Sequence, residues 1–389
     1  MAWIVPDDLE DALWLAARTV VGDASLAPRA LHQAILDRSR RYTSDRDQLS
    51  AHRTADLAAR AVFFTVADAL KVAIPLGELL GRGELPGRRP LRLVDLGAGC
   101  GAMALGALVS LAARGALALS GNIGEISNTP ALDILAIDRD PPALSIARAA
   151  ITDLARRRGL ALSIATRDDD VTRVKLPPAD LITMGTVLNE LAPPARLELV
   201  QRALAALAPD GALIIVEPAL RETSRALHEL RDAVISSGTA HVFAPCTRAI
   251  APCPALADPS DWCHEDRALQ LPYRTAELAR VTHLRDGGMK FSYLVLRKTP
   301  LALAEPAASA WRIVSAPMPA KGKLEIIGCN TAGRIPLRLL RRHRTPANRS
   351  FESADRGDVV IVSPPTDPDA DRLEITADLR LDHRTPSDD

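Results

Sequence analysis

Leu93-Val-Asp-Leu-Gly-Ala-Gly-Cys-Gly-Ala102 runs from an apolar strand-like stretch into a turn with glycine at 97, 99 and 101, then into an Ala/Leu-rich helical stretch. Glycine adopts positive φ at no steric cost and leaves no Cβ between the backbone and a ligand. The third glycine comes one residue earlier than in the G-x-G-x-x-G turn that seats a pyrophosphate on a helix N-terminus. An acidic residue, Asp95, precedes the turn. Cys100 reads as a small residue filling the turn rather than a reactive thiol. Outward from this point the pattern repeats. Short apolar runs at Leu91–Leu96, Leu132–Ile137, Leu160–Ala165, Asp180–Met184 and Ala212–Val216 suit strands buried on both faces of a parallel sheet. Helical stretches near 101–114, 142–158, 195–208 and 221–236 separate them. The alternation predicts a doubly wound, Rossmann-like α/β domain.

The flanks differ in texture. Residues 1–88 read as a helical N-terminal region, with an apolar stripe at Leu57, Ala61, Phe64 and Ala67/Leu70. Gly81-Arg-Gly-Glu-Leu-Pro-Gly-Arg-Arg-Pro90 is a breaker cluster that bounds it. The α/β domain then spans 89–300, with Phe291–Arg297 as its last strand and a Cys-rich insert at 240–272. Beyond a linker at Thr299–Pro306, the segments Trp311–Val314, Lys323–Gly328, Arg334–Leu339 and Asp358–Val362 predict a small antiparallel β domain over 301–375. Residues 376–389 read as a flexible tail.

The chain has 389 residues, 47% hydrophobic and 25% charged, which excludes wholesale disorder and calls for more than one folded unit. Basic and acidic residues balance at 48 each, so no global positive field marks a nucleic-acid binder, and no DNA partner is expected; only 6 of the basic residues are Lys. The acidic opening MAWIVPDDLEDALW lacks the basic n-region of a signal peptide. No apolar run approaches the ~18–20 residues that cross a bilayer. A cytoplasmic protein without a membrane partner is expected.

The strand, Asp95 and the turn at Gly97, Gly99 and Gly101 resemble motif I of the class I S-adenosylmethionine-dependent methyltransferases. The resemblance implies that Asp95 and the three glycines serve the amino-acid end of the cofactor. Asp138, ending the next strand, stands where that family grips the ribose hydroxyls, and a carboxylate can accept two hydroxyl hydrogen bonds at once. Asp140 is the runner-up. Asp169, within Arg167-Asp-Asp-Asp170, stands where the family often contacts the adenine amino group; its alternative is a solvated turn. The fourth strand leads to Asn189-Glu190-Leu-Ala-Pro-Pro rather than the Asp/Asn-Pro-Pro-aromatic of amino-methylating nucleic-acid enzymes. Asn189 is the candidate for substrate positioning in methyl transfer, and capping of the following helix is the competing role.

Four cysteines lie in the C-terminal half: Cys246-x6-Cys253-x9-Cys263, then Cys329 after 65 residues. Five cysteines in a reducing compartment do not make a disulfide framework. The spacing is neither a CxxC…CxxC zinc ribbon nor the tight triplet of radical enzymes. Four thiolates from two segments can hold a [4Fe–4S] cluster or a tetrahedral zinc; buried inert thiols are the plainer alternative. His241 and His264 are candidates for substitute ligands. A bound metal would staple the insert to the β domain.

Taken in order, motif I, Val216-Glu-Pro, Ala-Pro-Cys246, Cys253-Pro, Asp261-Trp-Cys-His, Phe291-Ser-Tyr-Leu and the late Gly328-Cys are similar to the methyltransferase-like family associated with the mitochondrial small ribosomal subunit and its bacterial relatives. The resemblance spans roughly residues 40–360. It implies a small-subunit assembly or translation factor holding a [4Fe–4S] cluster through Cys246, Cys253, Cys263 and Cys329. Ala219 stands where that family tends to carry glycine after Glu-Pro. Arg338, Arg341, Arg342 and Arg344, in the densest basic segment, are then the expected rRNA contacts. The expected activity is methyl transfer to rRNA, with a non-catalytic docking scaffold as the alternative. A cysteine-nucleophile 5-methylcytosine enzyme fits poorly, because its Pro-Cys should follow the fourth strand. A small-molecule methyltransferase leaves the cysteine insert without a role.

Overall fold

The computed structural model describes residues 2–44, 53–117, 131–247, 252–285, 287–301, 303–304, 309–331, 333–364 and 371–384. The chain divides into two compact units, one of Met1–Leu76, Pro86–Gly211 and Arg267–Met289, the other of Gly77–Leu85, Ala212–Asp266 and Lys290–Asp389. Neither the boundary near 88 nor that near 300 separates them. Residues 77–85 and 212–266 group with the C-terminal part of the chain.

The first unit is a parallel sheet wrapped by helices. Strands β1 (Leu91–Leu96), β2 (Leu132–Asp138), β3 (Leu162–Asp168) and β4 (Ala179–Gly185) pair in the order β3-β2-β1-β4. Register is continuous, with Leu93 opposite Ile134 and Leu181, and Ile134 opposite Ile164. Strands β1 and β4 are buried almost throughout, as unbroken apolar runs require, whereas the outer strand β3 leaves alternate residues exposed. Helices α1 (Ala102–Ala113), α2 (Pro141–Arg157) and α3 (Pro193–Ala206) follow β1, β2 and β4. The N-terminal helix Asp7–Leu26 packs against α2, and Asp8 accepts two hydrogen bonds from Arg158 at 2.7 and 2.8 Å. The expected stripe is buried at Leu57, Ala61, Ala67 and Leu70 and departs only at Phe64. Arg60–Phe64 forms one π turn, so Phe63 is fully buried and Phe64 only half-buried. An extra residue per turn rotates the apolar face, and composition does not reveal it.

In the second unit, β5 (Leu207–Pro218) and β7 (Met289–Arg297) run antiparallel, with Val216 opposite Tyr293; β6 (His241–Ala244) pairs with the other edge of β7. Strand β7 is thus last in sequence but internal in space. Helix α4 (Arg221–Ser237) connects β5 to β6 and ends at Gly238 in the left-handed conformation. The C-terminal sheet orders β12-β10-β9-β8-β11-β13, from β8 (Ala310–Ile313), β9 (Lys323–Asn330), β10 (Gly333–Leu340), β11 (Val359–Ser363), β12 (Leu373–Ile375) and β13 (Arg380–Arg384). It is antiparallel apart from the parallel pair β10–β12. Trp311, Ile326, Leu337, Phe351 and Val360 are among its buried core. Residues 376–389, expected as a tail, include a strand: β13 pairs over its whole length with β11. Its alternating charged residues suit an edge strand and conceal the pairing from composition. Residues 385–389 lie outside those described. Among the described residues no helix is long and apolar enough to cross a membrane.

Two close contacts hold α1, the helix that follows the glycine turn. A Cβ at Gly106 of α1 would lie 1.8 Å from the Ala69 carbonyl oxygen, so only glycine permits that helix to approach so closely. Asp95, only 1% exposed, points inward; it accepts hydrogen bonds from Thr183 Oγ1 on β4 at 2.8 Å and from the Ala104 N–H at 3.2 Å. Burial pushes its carboxyl up to about 7 from an ordinary 3.8, against the opposing pull of Thr183 and Ala104. Between those values the folded state keeps a proton that the unfolded chain has lost. Stability therefore falls as pH rises through this window, by ~1.4 kcal/mol per pH unit. Asp95→Asn cannot ionise, so wild type should lose thermal stability relative to this variant between pH 5 and about 7; parallel melting curves would refute the assignment. Gly106→Ala should destabilise by ~2 kcal/mol or more in denaturant titration, because a helix backbone must move.

Candidate functional site

In the first unit the glycine turn, the end of β2 and the segment after β4 meet at the carboxyl end of the parallel strands, the position where ligands bind in this class of sheet. Gly97, Gly99 and Gly101 all have positive φ, at 68°, 52° and 89°. A Cβ at Gly97 would strike Val187 Cγ2 at 2.4 Å, and one at Gly101 would press on Ala147 Cβ at 3.1 Å; above Gly99 nothing lies within 4 Å. Two of the glycines are therefore fixed by packing, and the middle one faces open space. The Gly97 and Ala98 amides donate to the Ile137 carbonyl at 2.8 and 3.0 Å.

Asp138 closes the turn from the neighbouring strand. Its Oδ2 accepts the Gly99 N–H at 2.8 Å and its Oδ1 accepts the Asp140 N–H at 3.0 Å. Burial raises this carboxyl above its ordinary value while those two amides pull it down. Asp169 lies alongside, its N–H donating to the Asp138 carbonyl at 3.1 Å and its own Oδ1 accepting the Asp170 N–H. Asp140, the runner-up for Asp138, caps α2 through Ala143 N–H at 3.3 Å and pairs with Arg60. Asn189 is buried in the 3-10 turn Leu188–Glu190. Neither Asn189 nor Glu190 caps the next helix, whose N-cap is Ala192. Glu190 is exposed and lies within electrostatic reach of Asp138, Arg139, Arg38 and Arg60. Cys100 is buried, and burial pushes its thiol up to about 11, so it stays protonated. Asp95 faces inward beneath the turn, within electrostatic reach of Asp138.

In the second unit Cys246, Cys253, Cys263 and Cys329 line one cavity, together with His228, Arg231, Tyr293, Arg312 and Arg334. Burial, then the neighbouring Cys246, Cys253 and Cys329, pushes the Cys263 thiol far up. Among the described residues, however, no group of three or more His, Cys, Asp or Glu side chains is placed to hold a metal ion. The four sulfurs converge without standing at ligand spacing. Four soft donors still match thiolate-seeking metals in kind. His241 and His264 do not line this cavity; His264 stacks on Trp262 with ring centroids 5.8 Å apart. The histidine that does line it, His228 on α4, accepts the Cys263 N–H at 3.1 Å, and burial holds it neutral, down to about 4. Neither the cysteine spacing nor any motif pointed to His228, since its partner lies 35 residues away.

The basic segment is only partly a free charged face. Arg338 on β10 pairs with Glu325 at 3.0 Å and Glu374 at 3.4 Å, its register partners on the two flanking strands. Arg344 pairs with Glu352 at 2.9 Å. Arg341 and Arg342 are exposed on the turn Arg341–His343. Two of the four expected RNA contacts are thus held by carboxylates, those of Arg338 brought near by strand pairing and that of Arg344 by a neighbouring turn.

Among solved structures, the chain is similar to magnesium protoporphyrin IX methyltransferase (ChlM) from Synechocystis PCC 6803 with bound SAM, at 12% identity and a TM-score of 0.35, over 68% of this chain and 90% of that one. It is similar to the TehB-like SAM-dependent methyltransferase from Corynebacterium glutamicum ATCC 13032 Kitasato at 16% identity and a TM-score of 0.31, over 57% and 88%. TrmN from Thermus thermophilus is similar at 20% identity and a TM-score of 0.30, over 60% and 53%. No curated protein sequence matches the chain. A family model described as mitochondrial small ribosomal subunit Rsm22 matches residues 116–360, more than half of the chain and inclusive of all four cavity cysteines. The chain belongs to the Rsm22 family.

Proposed function

We propose that this chain binds S-adenosylmethionine in the first unit and acts on the small ribosomal subunit, with rRNA as its partner and methyl acceptor. Membership of a family named for the small ribosomal subunit carries the partner. The glycine turn beside Asp138 carries the cofactor. Open space above Gly99 leaves room for a ligand against bare backbone. The two Asp138 oxygens each accept one amide and retain capacity for two ribose hydroxyls. Asp169 would take the adenine edge. Asp95 would act from below the turn, by holding Ala104 and Thr183 in place. The cofactor supplies an already activated methyl group, so the protein contributes position above all. Asn189 is the proposed positioning group, and Arg341 and Arg342 are the proposed phosphate contacts, ahead of Arg338 and Arg344.

In the second unit the proposed occupant of the cysteine cavity is a [4Fe–4S] cluster, with zinc as the competing metal. Free thiols suit the reducing cytoplasm, the proposed compartment. A non-catalytic docking role is favoured by one observation, the burial of Asn189 at 9% exposure, which leaves little of it for a substrate to meet.

Equilibrium dialysis with labelled S-adenosylmethionine should give one site per chain, weakened ~10-fold or more by Asp138→Ala through loss of charge-assisted hydrogen bonds. A wild-type chain that retains no label overturns the cofactor reading. Label transferred to isolated small subunits establishes the enzyme; binding without transfer, on mature subunits and assembly precursors alike, establishes docking. Anaerobic purification followed by iron, sulfide and zinc analysis decides the metal, and a chain holding neither iron nor zinc removes it.

A further inference from the structure

Helix α4 presents Arg225, His228 and Asp232 at i, i+3 and i+7, a spacing that puts the three on one face. All three side chains bond backbone of the cysteine insert. Arg225 donates to the carbonyls of Ala255, Asp258 and Asp261 at 3.1, 2.7 and 2.9 Å. His228 Nε2 accepts the Cys263 N–H, and Asp232 Oδ2 accepts the Cys253 N–H at 2.7 Å. The two carbonyls that complete the pattern also belong to cavity cysteines. Ser292 Oγ donates to the Cys263 carbonyl at 2.8 Å, and Thr247 Oγ1, beside Cys246, donates to the Cys329 carbonyl at 3.2 Å.

The selection of these partners is informative. A Pro-rich loop offers few regular backbone hydrogen bonds, so some side-chain support is expected of any such segment. Here Arg225 gives that general support, whereas His228 and Asp232 bond the peptide groups of the cysteines themselves. An amide and a carbonyl held on either side of one Cα fix its Cα–Cβ direction and leave only χ1 free. For Cys263 both are held. For Cys253 the amide is held, and the residue also starts the 3-10 turn Pro254–Leu256. Asp232 is itself held by Arg231, which is 2% exposed.

We propose that His228 and Asp232 are positioning residues that hold the backbone of Cys253 and Cys263, so that side-chain rotation alone brings their sulfurs to a thiolate-bound metal. The proposal rests on the metal reading of the cavity, and it concerns the layer behind the ligands. It inverts the expectation that metal staples the insert in place: the insert's backbone is secured by α4, and the metal draws in only the side chains. Supporting groups of this kind change metal affinity by ~10–100-fold when removed.

The test uses the full chain, reduced and metal-free, titrated with Zn2+ alone and with Co2+ alone, the latter followed by its thiolate charge-transfer band. Asp232→Ala and His228→Leu should each weaken Zn2+ binding at least ~10-fold and alter the Co2+ band, while Asp232→Asn and His228→Gln, which keep an acceptor, should recover most of the affinity. Hydrogen exchange of the metal-free chain gives an independent readout. The Cys253 amide should be protected in wild type and exposed in Asp232→Ala, and likewise Cys263 in His228→Leu. Wild type that binds neither ion overturns the metal reading and this proposal together. Wild type that binds while all four variants bind equally, or metal-free amides that exchange freely in wild type, overturns the positioning role alone.

Discussion

Gly99 donates its N–H to Asp138 across 2.8 Å, and the shape of the first unit's pocket depends on that bond. The Gly97 and Gly101 amides donate to the backbone carbonyls of Ile137 and Ala98, whereas the Gly99 amide takes a side-chain acceptor, and an amide left without one is costly. The carboxylate supplies the acceptor from the adjacent strand, so the turn and the candidate ribose contact are one structure rather than two. The same constraint governs the second unit. There the irregular segment is longer and the acceptors come from a helix, but the outcome is alike: amides next to functional positions are held by side chains distant in sequence.

What could be read beforehand divides along this line. Strands β1, β2 and β4 were legible because burial on both faces leaves unbroken apolar runs, and the glycine spacing was legible because φ and close approach leave almost no other residue possible. The convergence of four cysteines on one cavity followed from their rarity and setting. Illegible were facts that depend on who lies opposite. The partner of Asp95 was one such fact: the carboxylate lies buried against Thr183, 88 residues on. Arg338 looked free until β9 and β12 brought Glu325 and Glu374 to either side. The π turn at Arg60–Phe64 and the strand Arg380–Arg384 leave no compositional mark, since the first is a backbone insertion and the second a charged edge.

Behind the cavity of the second unit lies a fully buried group of charges. Arg312 donates to Glu78, to Glu265 at 2.7 Å and to the Tyr293 hydroxyl at 2.8 Å, and Tyr293 donates to Glu78 at 2.7 Å. Burial pushes the Glu78 carboxyl up, and Arg312 opposes that push. Such networks contribute little net stability compared with an apolar replacement, but breaking one member leaves an uncompensated charge. Their effect is to admit one arrangement of the strands that carry them. Arg312 is the register partner of Cys329, so this network fixes the strand bearing the fourth cysteine. Helix α4 fixes the other side. The cavity is bounded by two independent supports, one ionic and one made of helix-to-loop hydrogen bonds.

The balance between catalysis and docking turns on access rather than on chemical power. A sulfonium donor needs only an acceptor held in line with its methyl group, and proximity can supply most of the acceleration. No strong base or metal in the first unit is required for that step. What is required is an open path for an acceptor to the end of β4, and there the chain offers the buried Asn189 and the exposed Glu190. Glu190 is within reach of Arg38, Arg60 and Arg139, of which Arg38 and Arg60 are already paired with Asp56 and Asp140. The Leu188–Glu190 turn thus presents Glu190 to the outside and keeps Asn189 in the interior.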